Sequence, residues 1–254
     1  MITIAPIPAF NDNYIWHLQQ GSDHWVVDPG DAGPVISALG DAQLTGILIT
    51  HHHYDHTGGI ESLVKRYQCP VFGPDSIPDV SDALVDGDQF ELLGGNARVL
   101  AVPGHTLDHI AIFLEHAGDT YLFCGDTLFA AGCGRLFEGS PEQMYRSLQS
   151  LAALPKETRV YCAHEYTVSN LHFALAAEPD NTDVQARLEH ARHLRDRNQP
   201  TVPSTIAEEL ATNPFLRCES PTIRQQAKAR ETRADSSPGP VDVFATLRAW
   251  KDNF

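Results

Sequence analysis

The chain has no apolar run of the roughly 20 residues that a bilayer-spanning helix needs, which excludes a helical membrane protein. Its opening residues, Met1-Ile2-Thr3-Ile4-Ala5-Pro6-Ile7-Pro8, lack the basic start and cleavage pattern of a secretory signal. A cytoplasmic location is therefore expected. Cysteine is sparse: five residues, at 69, 124, 133, 162 and 218, with no CxxC pair. An odd count without paired spacing argues against a full disulfide framework. Cys124 and Cys162 fall in apolar strand-like runs and read as small buried residues. Positive charge is also short, with 18 Lys and Arg against 33 Asp and Glu and a net charge of −15. Nucleic acid needs a basic surface, so it is not an expected partner, and no membrane partner is expected either. An anionic small molecule would need a local cationic patch, which divalent metals and a few arginines could supply. No internal repeat is visible.

Histidine is not sparse, and the chain is organised around it. Thr50-His51-His52-His53-Tyr54-Asp55-His56-Thr57-Gly58-Gly59 follows Gly46-Ile47-Leu48-Ile49, a β-branched apolar run that reads as a buried strand. Ile60–Tyr67 follows with apolar residues at helical spacing. Four imidazoles and a carboxylate thus share one strand-to-helix loop. A purification tag would lie at a terminus, not behind a core-like strand. An extended loop puts His51 and His53 on one side and His52 on the other. Asp55 and His56 can then turn toward a second point nearby, a layout for two metal ions held by N and O ligands.

A length of 254 residues, 42% hydrophobic and 20% charged, suits one large domain or one plus a small one. Strands are expected at 2–8, 13–19 and 25–28, with turn-rich Asn11-Asp12-Asn13 between the first two. Asp28 ends the third strand at a turn-forming position. A helix at 34–39 precedes the Ile47 strand. Further strands are expected at 69–73, 97–102, 110–114, 120–124 and 158–162, with 74–88 a loop. Pro141–Leu154 reads as a helix with Pro at its start. His105, Asp126 and His164 each follow a strand end, as the histidine loop does. Beyond Thr167 no strand signal returns, and helices are expected at 168–177, 183–197, 204–210, 221–230 and 241–251. Residues 231–240 read as a flexible surface loop.

The downstream motifs come in a set order: Pro103-Gly104-His105-Thr106, Gly125-Asp126-Thr127 and Ala163-His164-Glu165-Tyr166. With the HxHxDH motif at 51–56, they make the chain resemble the metallo-β-lactamase superfamily. Within it the chain looks most like glyoxalase II, hydroxyacylglutathione hydrolase. Phe129–Arg135, His164-Glu165-Tyr166-Thr167 and Asn213-Pro214-Phe215-Leu216-Arg217 carry that closer likeness, which covers nearly the whole length. The resemblance implies an α/β (α+β) fold, an αββα sandwich with a C-terminal helical domain. The expected division is 1–173, catalytic, and 174–254, helical and substrate-binding.

The resemblance further implies that His51, His53 and His105 hold one metal, that Asp55, His56 and His164 hold the other, and that Asp126 bridges them with a water-derived hydroxide. Such ligands accept Zn first, with Fe or Mn as alternatives. Two cations sharing a water bring its pKa toward neutrality and stabilise an oxyanion. Asp55 would also orient that hydroxide or take its proton. His52 is expected to face away from the metals, and His109 to hydrogen-bond beside them. The resemblance also implies that Asp28 supports the metal shell without binding metal, the alternative being a turn-forming residue. The implied reaction is hydrolysis of an S-(2-hydroxyacyl)glutathione, mainly S-D-lactoylglutathione, to D-lactate and glutathione; separately, a monomer is expected. Arg135, Tyr166, Arg217 and Arg224 would bind the glutathione portion. Phe137 stands where some relatives have Tyr, and Asp108 where many have Gly. Rival readings are a lactonase, β-lactamase or persulfide dioxygenase on the same fold, or a binding module without metal.

Overall fold

The structure is a computed structural model that describes residues 2–230 and 238–254. The first sheet is built from β1 (Thr3–Ala9), β2 (Asn13–Gln20), β3 (Asp23–Val27), β4 (Gly46–Leu48), β5 (Val71–Gly73) and β6 (Asp82–Ala83), in that spatial order. The first three strands pair antiparallel and the rest parallel. Helices α1 (Ala32–Leu39), α2 (Tyr54–Thr57) and α3 (Ile60–Tyr67) interrupt it. The second sheet contains β7 (Gln89–Leu92), β8 (Gly95–Ala101), β9 (Ile110–His116), β10 (Asp119–Gly125), β13 (Arg159–Cys162) and β14 (Ser204–Thr205). Its spatial order is β14-β13-β10-β9-β8-β7, and a small hairpin, β11 (Leu128–Phe129) with β12 (Gly132–Cys133), stands apart. Helix α4 (Pro141–Ala152) precedes β13, and α5 (Thr167–Ala177), α6 (Thr182–Arg195), α7 (Ile206–Thr212), α8 (Pro221–Lys228) and α9 (Pro240–Asp252) follow it.

Alternation along the strands sorts the core into layers, because successive side chains point to opposite faces. Trp16, Val27 and Leu48 join Val99, Ile112 and Leu114 of the second sheet in the main core. Their neighbours Ile15, Val26 and Ile47 face the other way, onto Val35 and Leu39 of α1 and Ile60 and Leu63 of α3. The result is two sheets face to face with helices outside, the αββα sandwich anticipated from the sequence. Among the described residues no helix is long and apolar enough to cross a membrane.

Several elements differ from expectation. Residues 54–57 form a short helix rather than loop, and residues 89–92 form a strand. A two-residue strand, Ser204–Thr205, returns after Thr167 and pairs with β13, so the C-terminal part is not purely helical. The expected boundary at 173/174 falls inside the continuous helix α5. Of the expected surface loop at 231–240, residues 231–237 lie outside the described residues, and Pro240 begins α9.

Candidate metal centre

Four loops, after β4, β8, β10 and β13, bring the seven expected ligands to one edge of the sandwich. The two sheets are tied together there. Ile110 N–H donates to Thr50 O at 2.9 Å, and Tyr14 N–H donates to Ala163 O at 2.7 Å. Local sequence shapes each loop. Gly125 takes φ +46, and any side chain there would strike Thr50 and His109. The His105 loop rests on α4, which starts with Pro141 behind a Ser140/Gln143 capping box. From α4, Ser147 Oγ donates to Pro103 O at 2.8 Å. The short helix α2 turns His56 into full burial.

Among the expected ligands, donor atoms lie within 4.8 Å of one another in three groups: His51, His53 and His105; His51, His56 and Asp126; and Asp55, His56 and His164. A fourth such group, His52, Asp108 and Glu138, lies on the outer side of the loop. His53 Nδ1 is 3.1 Å from His51 Nε2 and 3.0 Å from His105 Nε2. Asp126 faces both sides. Its Oδ1 is 3.3 Å from His164 Nε2 and 3.5 Å from His56 Nε2, and its Oδ2 is 3.4 Å from His105 Nε2.

The outer hydrogen bonds fix which ring nitrogens are bare. His105 Nδ1 lies 2.8 Å from Arg135 O, and a carbonyl only accepts, so the proton is on Nδ1. His164 Nδ1 meets Asp12 Oδ1 at 2.8 Å, and His56 Nδ1 meets Asp28 Oδ2 at 3.0 Å. Thr50 donates its hydroxyl to Asp28 Oδ2 at 2.8 Å and is left to accept from His51 Nδ1 at 3.1 Å. In the neutral imidazoles the Nε2 atoms are then lone pairs aimed at one another and at carboxylate oxygens. Asp126 Oδ1 and both His56 ring nitrogens are buried without a hydrogen bond of good geometry, although His56 Nδ1 lies at ion-pair distance from Asp28. Acceptors facing acceptors in a buried place are costly unless a cation lies between them. The donor set fits divalent metal.

The electrostatics agree. Burial holds the His51, His53 and His105 imidazoles below their ordinary value, leaving them neutral and ready to donate lone pairs. Burial opposes charge on His56 as well, yet Asp126 and Asp28 push it well above its ordinary value. Asp126 is held ionised against burial by His56 and His164. The field between these carboxylates favours positive charge. Burial drives His109 down to about 3, so it stays neutral. It donates to Ile110 O at 3.0 Å, accepts from Asp126 N–H at 3.1 Å and stacks on His51.

Sequence reasoning passed over two supports where the first turn enters β2. Asp12 holds His164, and Asn13 donates to Asp55 Oδ2 at 2.9 Å. The only hint was a run of side chains that bond backbone in turns, which does not distinguish a turn from a second layer of ligand support. His52 faces outward, as expected from alternation, pairing with Asp108 at 3.0 Å and Glu138 at 3.3 Å. Asp108 also accepts from Ser76 Oγ at 2.7 Å.

Two openings meet at this cluster. A space of about 420 Å³ is bounded by His53, Tyr54, Asp55, Phe137, His164 and Tyr166. A cavity of about 580 Å³ runs from His105 and Asp126 to Arg135, Tyr166, Arg248 and Lys251. Tyr166 stacks on His164 with ring centroids 4.8 Å apart. Burial and nearby carboxylates raise its phenol, which stays a hydrogen-bond donor. Phe137 is 63% exposed at the rim and offers no hydroxyl.

The structure does not bring Arg217 or Arg224 to either opening. The Arg217 guanidinium is spent on Glu178, through Nε at 2.8 Å and Nη2 at 2.9 Å, and on Leu210 O at 3.1 Å. Arg224 Nη2 donates to Pro238 O at 2.7 Å. The cations that do line the cavity besides Arg135 are Arg248 and Lys251 of α9, one helical turn apart. Only their helical spacing hinted at this, and that spacing is ordinary.

Residues 165–254 match the family described as hydroxyacylglutathione hydrolase C-terminus, and residues 11–164 match the metallo-beta-lactamase superfamily. A hydroxyacylglutathione hydrolase of Photobacterium profundum is 54% identical over 260 residues, covering 100% of both chains. Among solved structures, ETHE1 from Myxococcus xanthus superposes with a TM-score of 0.62 at 26% identity, over 84% of this chain and 83% of that one. TTHA1623, solved in a di-iron-bound form, gives a TM-score of 0.53 at 27% identity over 64% of this chain and 91% of that one.

Proposed function

The chain belongs to the hydroxyacylglutathione hydrolase family, within the metallo-β-lactamase superfamily, and we propose that it hydrolyses S-(2-hydroxyacyl)glutathione, chiefly S-D-lactoylglutathione, to the hydroxy acid and glutathione. The observation that carries this reading is the meeting of a His/Asp cluster with a cation-lined cavity at His105 and Asp126. His51, His53 and His105 would hold one divalent ion, Asp55, His56 and His164 a second, with Asp126 between them. When bound, such a pair supplies a low-pKa water and a Lewis acid for a carbonyl.

The chain's own groups do the rest. Asp12, Asp28 and Thr50 fix the imidazole tautomers before substrate arrives. Asn13 holds one Asp55 oxygen, which orients that carboxylate to take a proton from the attacking water. The thioester carbonyl sits at the junction of the two openings. Its acyl group enters the space beside Tyr54 and Phe137, and the glutathione portion lies along the larger cavity. Arg135, Arg248 and Lys251 face its carboxylates, and the Tyr166 hydroxyl donates to a polar group. The leaving thiolate is stable near neutral pH, so cleavage needs little general acid. A local positive lining of this kind would let a chain of net charge −15 receive an anion.

Zinc is the proposed metal, with iron or manganese able to use the same donors. All five cysteines are unpaired and buried, which favours a reducing compartment such as the cytoplasm. The test is direct: purified protein is given S-D-lactoylglutathione and the loss of thioester absorbance is followed. Hydrolysis that chelation abolishes supports the proposal. Absence of hydrolysis in fully metallated protein overturns it.

A further inference from the structure

One carboxylate stands among the cations of the larger cavity. Asp252 Oδ1 lies 3.0 Å from Arg248 Nη2 and 3.7 Å from Arg135 Nε. A single oxygen thus faces two guanidinium groups that line the same space, and Asp252 lines it too. Lys251 is the next residue along the chain and a third cation of the wall.

Arg248 does not need Asp252 to stay in place. Its side chain is 6% exposed, its Nη1 donates to Cys133 O at 2.8 Å, and it lies over the Phe215 ring at 5.1 Å. Arg135 is the opposite case: its side chain is 66% exposed. Asp252 itself keeps 38% of its side chain open to the cavity and solvent. The pairing with Arg135 therefore leaves both groups reachable by an incoming anion.

Resting on the functional reading above, we propose that Asp252 is a built-in competing anion that weakens glutathione binding and so sets substrate affinity and product release. A glutathione carboxylate that reaches Arg135 and Arg248 must share them with Asp252 or displace it from Arg135. Substrate and product carry the same carboxylates. A cavity with three uncompensated cations would hold the product as tightly as the substrate. One fixed negative charge reduces both affinities, which favours turnover when substrate is plentiful. No bond is made or broken at Asp252, and it is a specificity residue, not a catalytic one.

The test compares Asp252→Asn, close to isosteric, with wild-type metallated enzyme. Calorimetric titration with reduced glutathione reads binding without turnover. Removing a like charge at this degree of exposure should tighten glutathione about two- to fivefold, with a similar fall in KM for lactoylglutathione. The ratio of kcat/KM for lactoylglutathione to that for a small neutral lactoyl thioester should rise, and the effect should shrink in high salt. Asp252→Glu, which restores the charge, should move affinity back toward the wild-type value. Should Asp252→Asn fold poorly, judged by its melting curve, Asp252→Ser gives the same reading. Weaker or unchanged glutathione binding in the neutral variants overturns the inference. If wild-type enzyme turns over no glutathione thioester, the functional reading falls and the inference with it. Turnover by wild type without the affinity shift removes the inference alone.

Discussion

Arg217 meets Glu178 fork to fork, with Nε donating to Oε2 at 2.8 Å and Nη2 to Oε1 at 2.9 Å. Ser220 Oγ and Asn181 Nδ2 donate to the same carboxylate at 2.6 and 2.8 Å. The arginine closing the Asn213–Arg217 motif therefore joins the end of α5 to the segment before α8, and does not line the larger cavity.

This pairing has a pH signature. Burial alone would raise Glu178, but hydrogen bonds from Arg217, Ser220 and Asn181 outweigh it and bring it down from its ordinary 4.5 to about 2. A depressed folded value stabilises the protein above the unfolded value, and that contribution is lost as pH falls from about 4.5 toward 2. Glu178→Gln should lower the melting temperature at neutral pH and narrow its gap from wild type across that window. Arg217→Ala should cost about 1.5–3 kcal/mol in denaturant unfolding. An unchanged midpoint for both variants would contradict the pairing.

Asn213, at the start of the same motif, clamps the β11–β12 turn. Its Nδ2 faces Phe129 O at 3.2 Å, Gly132 O at 2.9 Å and Glu209 Oε2 at 3.0 Å. Glu209 is fully buried, accepts from Ala131 N–H at 2.8 Å and pairs with Arg187 at 2.7 Å. Breaking a buried pair strands a charge, so Arg187→Met should destabilise by about 3–5 kcal/mol. Asn213→Ala should cost about 1–3 kcal/mol and raise KM, since Phe129 and Cys133 of this hairpin wall the cavity. A KM equal to wild type in Asn213→Ala would show that the hairpin does not shape that wall.

Asp28 distinguishes support from mere turn formation. It accepts from Thr50 N–H and Thr50 Oγ1, both at 2.8 Å, and meets His56 Nδ1. Asp28→Ala should weaken metal retention about 10- to 100-fold in competition with a chelator. His52→Ala, whose ring faces Asp108 and Glu138, should retain metal as wild type does. Equal metal loss in both would reverse the reading of which side of the loop faces the ions.

The ligand loops were legible because the chemistry is local. Strand-like runs end just before His51, His105, Asp126 and His164, and alternation separates His52 from its neighbours. What could not be read was long-range. Asp12 reaches His164 across 152 positions, and Arg248 reaches Cys133 across 115. Nothing in a turn-rich Asn-Asp-Asn or a helical Arg-Ala-Trp-Lys says which loop folds beside it. Arg217 was misplaced for the converse reason: its motif was clear, but its partner Glu178 carried no signal of its own. The short strand β14 was hidden because two residues give no period, and pairing with β13 alone defines it.

The central claim is that one cluster of His51, His53, Asp55, His56, His105, Asp126 and His164 holds two ions that work together on a glutathione thioester. Metal-free protein is titrated with Zn²⁺, while bound metal and hydrolysis of S-D-lactoylglutathione are measured on the same samples. Hydrolysis should be absent without metal and reach its plateau at about two ions per chain, as a shared-water site requires. Asp126→Ala should bind fewer ions and stay inactive throughout. Full activity at one bound ion, or hydrolysis by metal-free protein, would contradict the account.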